Sequence, residues 1–449
     1  LPEQRKTGVG RTAADEKHMN EAVPTAETTG RGAPPAWGRR VAALLCVLAL
    51  AAGVRLYALP GQSVVYDEYN SIRYLDAPDV VSFLREQAEY NDEMVPLYFV
   101  LQYYWARLAG DAPARLRLLS MLLALVTVAA VFYMAGRLYG DWASGVAGLC
   151  LALSPFHIYH SLSIRPYALL ALLGACSGYA LYRVARGGGW PWWVANGLAN
   201  LLLMWTHLFA FWWLLAQGVY LLVFHPRRVG RIAVWTVAQA LALIPLLLFV
   251  LGWELDPPTG ELAPLSKFLT FVADRETGWA VWALSMWPEG AARPGGPVLT
   301  PLLRGYGLLS EALLLAWYAG CLLLLFWSVR GPGCGGGELW RADRRARLET
   351  FAYLRVWLML PPMLLYGFAW AWSHEAFAER YTLYGAPALF LVFGGAVAGF
   401  RARAGRVLAA ALLVGVFGAH AWVNLHLPLR PDFAGAARHI AGSAASGAP

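Results

Sequence analysis

Long apolar stretches recur along the chain, and they constrain its fold more than any other feature of the sequence. They run from about residue 41 to residue 425, and many reach the roughly 20 residues that a helix needs to cross a bilayer. Only 14% of the residues are charged, whereas soluble domains contain about 25%. The sequence therefore predicts an all-α polytopic membrane protein.

The distribution of arginine predicts the topology. Arg39 and Arg40 precede the first apolar stretch, which indicates a cytoplasmic N-terminus. Pro96–Gly110 is apolar but short, and treating it as non-crossing places the later arginine clusters in cytoplasmic loops. We therefore predict about eleven spans, at 41–59, 116–136, 142–158, 166–185, 191–207, 208–224, 232–252, 306–329, 351–372, 382–400 and 407–425.

Composition outside the apolar stretches divides the chain into three parts. Residues 1–38 are rich in Gly, Pro, Thr, Ala and charge, which predicts a disordered cytoplasmic tail. Residues 39–428 form the predicted transmembrane domain, and residues 429–449 form a short extracytoplasmic tail. The domain has two large outer loops, 60–114 and 253–305, and within the first loop Pro78–Glu89 has the pattern of a helix lying in the interface.

The formal net charge of +8 does not indicate a nucleic-acid partner. The basic residues lie mainly in the predicted cytoplasmic loops, where membrane insertion favours them. The predicted partner of this surface is the lipid bilayer.

Unusual polar residues from separate segments fall on the outer side of this topology. Asp67 and Glu68 directly follow the first span and are flanked by Val65, Tyr66 and Tyr69. A partly shielded carboxylate can act as a general base, although a solvated loop acid is the alternative. The other candidates on this side are Asp92, Glu93, Arg165, His207 and Arg380.

Each of these candidates has a functional and a structural interpretation. Asp92 and Glu93 can ligate a divalent cation or cap the helix that begins at Pro96. Arg165 and Arg380 each open a span and can bind a phosphate or reach lipid headgroups. His207 can contact substrate or metal, or can be a hydrogen-bonded core residue.

Four stretches together resemble a known family, and their order and spacing carry the resemblance. They are VVYDEYNSIRYL (64–75), PLYFVLQYYWARLAGDAPARLRLLSMLLALVTVAAVFYMAGRLYG (96–140), LALSPFHIYHSLSIRPYALLALL (151–173) and AERYTLYGAPALFLV (378–392). The chain resembles integral-membrane glycosyltransferases of the GT-C type, in the bacterial branch with protein mannosyltransferase-like proteins and the lipid A aminoarabinose transferase. One departure is Ser161–Arg165, which lacks the acidic residue that many relatives carry before this arginine.

The resemblance implies an inverting glycosyltransferase of the bacterial inner membrane, with its active site on the extracytoplasmic face. It would take a sugar from a polyprenyl-phosphate donor to an acceptor hydroxyl, with Asp67 as base and Glu68 beside it. Arg165, Arg380 and Tyr381 would bind the donor phosphate. Candidates for substrate or for a divalent metal (Mg²⁺, Mn²⁺ or Zn²⁺) are Glu93, Asp92, His207 and Tyr167, with Glu93 and His207 as the metal ligands.

The competing interpretation is a non-enzymatic transporter or flippase of a phosphate-bearing lipid. It would use the same arginines, but the hydropathy pattern contains no inverted repeat and the predicted spans contain no central acid.

Overall fold

The computed structural model describes residues 36–60, 62–90, 95–255, 320, 323, 326, 337–372 and 379–426. The chain divides into two units, Leu1–Arg40 and Val41–Pro449. Only the last five residues of the first unit are described, and they begin helix α1. The predicted tail 1–38, loop 253–305 and tail 429–449 therefore lie outside the described residues, apart from 36–38 and 253–255.

The described residues are helical throughout and are joined by short turns. Three 3₁₀ helices occur, at Leu208–Ala210, Pro226–Arg228 and Glu379–Gly385. The α-helices are α1 (Ala36–Ala58), α2 (Tyr66–Ile72), α3 (Val80–Tyr90), α4 (Pro96–Ala109), α5 (Pro113–Tyr139), α6 (Asp141–Ala152), α7 (Pro155–Ser161), α8 (Tyr167–Ala185), α9 (Trp190–Met204), α10 (Phe211–Phe224), α11 (Val229–Leu255), α12 (Glu338–Arg341), α13 (Arg344–Trp372), α14 (Ala386–Ala398) and α15 (Arg403–His426).

Within the described ranges, five helices are long and apolar enough to cross a membrane: α1, α5, α8, α11 and α15. They correspond to five of the eleven predicted spans, and the predicted span 306–329 lies almost wholly outside the described residues. The apolar part of α8 is 78% buried within the protein, against 17% for α1, α11 and α15. Of these five helices, α8 is therefore the most enclosed by the rest of the protein, whereas few residues of α1, α11 and α15 are buried.

The prediction of one continuous span over 142–158 is wrong, because the chain breaks there into α6 and α7. Proline at position 155 cannot donate a backbone hydrogen bond and disfavours helical geometry in the residue before it. Ser154 caps the new helix, its Oγ accepting from the His157 backbone N–H at 3.4 Å. The break lets α7 take a direction of its own, and α7 leads directly to Arg165.

Helix α4 is the short apolar segment that the sequence predicts not to cross the membrane. Its 14 residues span about 21 Å, less than the roughly 30 Å of a hydrocarbon core. It ends at Gly110, whose φ of 92° favours glycine. Helix α3 packs against it through Phe83 and Tyr103, with ring centroids 5.3 Å apart. The predicted interfacial helix at Pro78–Glu89 is thus confirmed as a helix, and it rests on α4.

Two glycines let neighbouring backbone approach α8 closely. A Cβ at Gly174 would collide with the backbone of Tyr384, and one at Gly178 would collide with the indole of Trp357. This small-xxx-small spacing is typical of helix contacts inside membranes. It brings the 3₁₀ helix Glu379–Gly385 and α13 directly onto α8.

Neutral polar side chains form a buried hydrogen-bonded group near the middle of α8, which we call the amide network. Ser177 Oγ donates to Asn200 Oδ1 at 2.6 Å, and Gln217 Nε2 donates to the same oxygen at 2.9 Å. Asn196 Nδ2 donates to Gln217 Oε1 at 2.9 Å. Trp213 and Trp235 close the network by donating to Ser177 Oγ and Asn196 Oδ1. The amide network therefore joins α8, α9, α10 and α11.

Candidate active site

Glu68 is fully buried and is the hub of the candidate site. Its Oε2 accepts from Arg117 Nη2 at 2.6 Å and its Oε1 from Arg117 Nε at 3.2 Å, a two-pronged ion pair. The backbone N–H of Ile164 donates to Oε1 at 3.0 Å, and that of Val65 donates to Oε2 at 3.3 Å. Glu68 thus ties α2 to the start of α5 and to the loop before α8.

Arg117 extends this anchor to the chain between α1 and α2. Its Nη1 donates to the Gln62 carbonyl at 2.9 Å, and its Nη2 donates to the Ser63 carbonyl at 3.0 Å. The guanidinium is almost completely buried, at 2% exposure. Arg117 therefore contacts both α2 itself, through Glu68, and two residues of the segment that leads into it. Together these contacts fix the orientation of α2.

The neighbouring acid, Asp67, is exposed. Successive residues of an α-helix point about 100° apart, so burial of Glu68 turns Asp67 to the exposed side of α2. The Asp67 main-chain carbonyl accepts from Ser71 Oγ at 3.0 Å, which secures this turn of the helix. The two adjacent carboxylates therefore have different environments, one sealed in an ion pair and one accessible.

Arg165 lies one residue beyond the Ile164 N–H that Glu68 holds. It is 9% exposed, and its guanidinium carbon lies 5.8 Å from the ring centroid of Tyr167. Tyr167 in turn packs edge-on against His160 at 4.9 Å, and it lies 6.2 Å from the ring of His207. The predicted residues Arg165, Tyr167 and His207 are thus brought together at the N-terminal end of α8.

His207 caps the 3₁₀ helix Leu208–Ala210. Its Nδ1 accepts from the Phe209 backbone N–H at 3.2 Å, so a neutral ring carries its proton on Nε2. Ligating a metal through Nε2 would need the proton on Nδ1, which would break this hydrogen bond. Within the described ranges, no three His, Cys, Asp or Glu side chains come close enough together to hold a metal. The described residues fit a hydrogen-bond donor at His207 better than a metal ligand.

Two further predicted segments adjoin this region through their backbones. The Leu97 N–H, at the start of α4, donates to the Trp205 carbonyl at 3.0 Å, beside His207. The 3₁₀ helix Glu379–Gly385, which contains Arg380 and Tyr381, packs against α8 and against Leu208–Ala210. The side chains of Arg380 and Tyr381, and the whole of Asp92 and Glu93, lie outside the described part of the chain.

Tyr98 on α4 also belongs to this neighbourhood. It is fully buried, and its hydroxyl lies 3.0 Å from Ser120 Oγ. Burial raises the pKa of Tyr98, and the charges of Glu68 and Arg165 act on it in opposite directions. Tyr98 therefore stays protonated, and it is close enough to Glu68 and Arg165 to be influenced by both charges.

Sequence reasoning missed two arginines that the structure places at the site, Arg117 and Arg55. Both lie within or beside predicted spans, and neither belongs to the predicted cytoplasmic clusters. An arginine inside an apolar stretch is rare and is usually paired with another polar group. This feature could have identified both residues from the sequence. We call Arg55, Glu68, Arg117, His157 and Arg165 together the charged cluster.

Known proteins resemble the chain in sequence over one segment and in fold over most of its length. Residues 94–253 match the family described as dolichyl-phosphate-mannose-protein mannosyltransferase. The chain is therefore similar to that glycosyltransferase family over about a third of its length. The matched segment runs from just before α4 nearly to the end of α11, and it contains Arg117, Arg165, Tyr167 and His207. No curated protein matches the chain significantly.

The fold is similar to that of ArnT from Cupriavidus metallidurans. The crystal structure of ArnT from Cupriavidus metallidurans bound to undecaprenyl phosphate superposes with a TM-score of 0.54 and 18% identity, over 84% of this chain and 64% of that one. The apo structure of the same protein gives a TM-score of 0.51 and 18% identity, over 80% and 60%. This chain thus spans less than two thirds of ArnT, and the likeness concerns the fold.

Proposed function

We propose that this protein transfers one monosaccharide from a polyprenyl-phosphate-linked donor to an acceptor hydroxyl on the extracytoplasmic face of a bacterial inner membrane. One observation carries the proposal. The buried Glu68 carboxylate holds α2, which exposes Asp67, and also holds the Ile164 N–H beside Arg165. One anchor therefore sets the relative position of a carboxylate base and a phosphate-binding cation.

Asp67 is the proposed general base. Its carboxylate accepts the proton of the acceptor hydroxyl while the hydroxyl oxygen attacks the anomeric carbon of the donor sugar. The bond from that carbon to the phosphate oxygen breaks on the opposite side, and its electron pair leaves with the phosphate. The product is a glycoside of inverted configuration and a free polyprenyl phosphate.

Arg165 is the proposed cation for the leaving phosphate. A guanidinium can bind two phosphate oxygens at once, and partial burial strengthens its interaction with the developing charge. Arg380 and Tyr381 are proposed to join it, because their 3₁₀ helix packs against α8. His207 would add a hydrogen bond through Nε2, and Tyr167 would support the Arg165 guanidinium.

Glu68 is better suited to positioning than to proton transfer. Its two oxygens already accept four hydrogen bonds from Arg117, Ile164 and Val65. A carboxylate held in this way is stabilised in its charged form and has no room for a substrate hydroxyl. We therefore propose Asp67 alone as the base, with Asp92 and Glu93 as candidate substrate or divalent-metal ligands beside the start of α4.

Release of free lipid phosphate tests the proposal. The purified protein in nanodiscs would be incubated with a panel of polyprenyl-phosphate sugars and a cell-envelope acceptor fraction. We expect at least one donor to yield free polyprenyl phosphate together with a glycosylated product of inverted anomeric configuration. If no donor is consumed, and labelled lipid headgroups instead cross a liposome bilayer containing the protein, the flippase interpretation replaces this one.

A further inference from the structure

Arg55 is the most unusual charged residue that the described structure contains. It lies in the last turn of α1 and is fully buried. Its Nη1 donates to the carbonyls of Ala51 and Ala152, both at 3.0 Å, and its Nη2 donates to His157 Nδ1 at 2.8 Å. Among the described residues, no carboxylate pairs with Arg55.

A buried arginine without a carboxylate is costly, so its contacts need an explanation. The contacts bridge two pieces of chain that Pro155 has separated. Ala152 is the last residue of α6, and its carbonyl has no partner within that helix. His157 lies in the first turn of α7. Arg55 therefore links the end of α6 to the start of α7 by hydrogen bonds, where, in this described part of the chain, the break leaves no helical hydrogen bonds between them.

Helix α7 carries this constraint to the candidate site. One turn after His157, His160 packs against Tyr167 with centroids 4.9 Å apart. Helix α7 then ends at Ser161, and the loop that follows contains Ile164 and Arg165. Glu68 holds this loop at Ile164, and Arg55 holds the helix that precedes it. The loop is thus secured from both sides by buried charged residues.

We propose that Arg55 is a positioning residue for the phosphate-binding site: by holding His157 and Ala152 it fixes α7 and thereby the location of Arg165 and Tyr167. The identity of the ligand, a polyprenyl phosphate, rests on the proposed function. Arg55 does not touch that ligand in this proposal, and it acts through α7.

The structure suggests variants that separate positioning from folding. Arg55→Lys keeps the charge but cannot reach both Ala152 and His157 from one ammonium group. His157→Phe keeps a ring and removes the acceptor, whereas His157→Asn offers an oxygen where Nδ1 lies. Asn200→Leu is the control, because it damages the amide network, which lies in the helices and has no member among the residues that hold α7.

Binding of undecaprenyl phosphate and of undecaprenol to the purified full chain is the deciding measurement. We expect Arg55→Lys and His157→Phe to weaken undecaprenyl phosphate binding about tenfold while undecaprenol binding changes less than about twofold. His157→Asn should recover most of the affinity. Hydrogen exchange over residues 155–166, a readout that needs no ligand, should rise in the two weakened variants. Asn200→Leu should lower thermal stability without changing either measurement.

The outcomes distinguish this inference from the proposed function. Wild-type affinity for undecaprenyl phosphate in both Arg55→Lys and His157→Phe would overturn the role of Arg55 alone. An equal loss of affinity in Asn200→Leu would also overturn it, because the effect would then be general destabilisation. A wild-type protein that binds no undecaprenyl phosphate would remove the proposed donor and this inference together.

Discussion

The charged cluster and the amide network are both buried and polar, yet they are built differently. The amide network is neutral, and its side chains donate to and accept from one another across four helices. The charged cluster joins side chains to backbone at breaks and turns, as in the contacts of Glu68 with Ile164 and of Arg55 with Ala152. The amide network holds regular helices together. The charged cluster instead fixes the non-helical backbone around the candidate site.

Energetics explain why the two regions should respond differently to mutation. A hydrogen bond between neutral groups in a membrane protein contributes only about 0.6 kcal/mol on average. Removing one partner of a buried ion pair costs about 3–5 kcal/mol, because the other charge remains unpaired. Irregular backbone at membrane depth is tolerated where it is buried in protein or lines a cavity, which makes it a common setting for function.

The largest effect is expected at Asp67, the accessible acid next to the charged cluster. Asp67→Asn should lower the rate of sugar transfer about 10²–10⁴-fold, because the amide cannot accept the hydroxyl proton. Thermal stability should not change, since the side chain is exposed. Asp76→Asn, at another exposed acid of the same loop, is the matched control and should remain active. Full transfer activity in Asp67→Asn would exclude Asp67 as the base.

The second largest effect is expected on the free energy of unfolding, when Glu68 of the charged cluster is changed. Glu68→Gln should destabilise the protein by about 3–5 kcal/mol, since Arg117 would be left buried without its counter-charge. Denaturant-induced unfolding in detergent measures this change. The double variant Glu68→Gln with Arg117→Gln should recover part of the loss. Simple addition of the two single losses would show that the ion pair does not couple α2 to α5.

A smaller effect is expected in the amide network. Asn200→Leu should cost about 0.6–2 kcal/mol by removing hydrogen bonds to Ser177 and Gln217, as measured by thermal unfolding. Sugar transfer by the folded protein should stay close to wild type. Leu198→Ala, an exposed position on the same helix, serves as the control and should be nearly neutral. If Asn200→Leu lost activity without losing stability, the amide network would affect the candidate site directly, and it would not differ from the charged cluster in this respect.

The smallest effect is expected at Asp79, which is charged like the members of the charged cluster but is exposed. It therefore shows what a charged hydrogen-bonding residue contributes when it is not buried. It caps α3 by accepting from the backbone N–H of Ser82 and Val81, both at 2.9 Å. These hydrogen bonds, that of Ser82 first, lower its pKa. A lowered pKa adds stability above the ordinary aspartate value of about 3.9, and that stability is lost as pH falls through the folded value.

Thermal unfolding between pH 5 and pH 3, about the ordinary aspartate pKa, checks this sign. The wild type should lose slightly more stability on acidification than Asp79→Asn, which retains a cap acceptor but does not titrate. An identical acid response of the two proteins would show that the Asp79 cap contributes nothing.

Much of the fold followed from local sequence. Apolar length predicted the five long helices, and the pattern of Pro78–Glu89 predicted α3, because hydropathy and helical period are properties of a short segment. The break at Ser154–Pro155 was missed although proline signals it locally, since the apolar run continues through it. The acids at 67 and 68 were recognised as unusual, but nothing local distinguished one from the other.

The sequence by itself determined that this chain crosses a membrane as helices and which polar residues are out of place in such a chain. Only the tertiary structure decided that Glu68 is sealed and Asp67 exposed, because Arg117 lies 49 positions away along the chain. The side chain that Arg55 contacts, His157, is 102 positions away. A helix face is buried by whatever packs against it, and that contact is not encoded within the helix. Adjacent residues of similar chemistry can therefore have opposite roles.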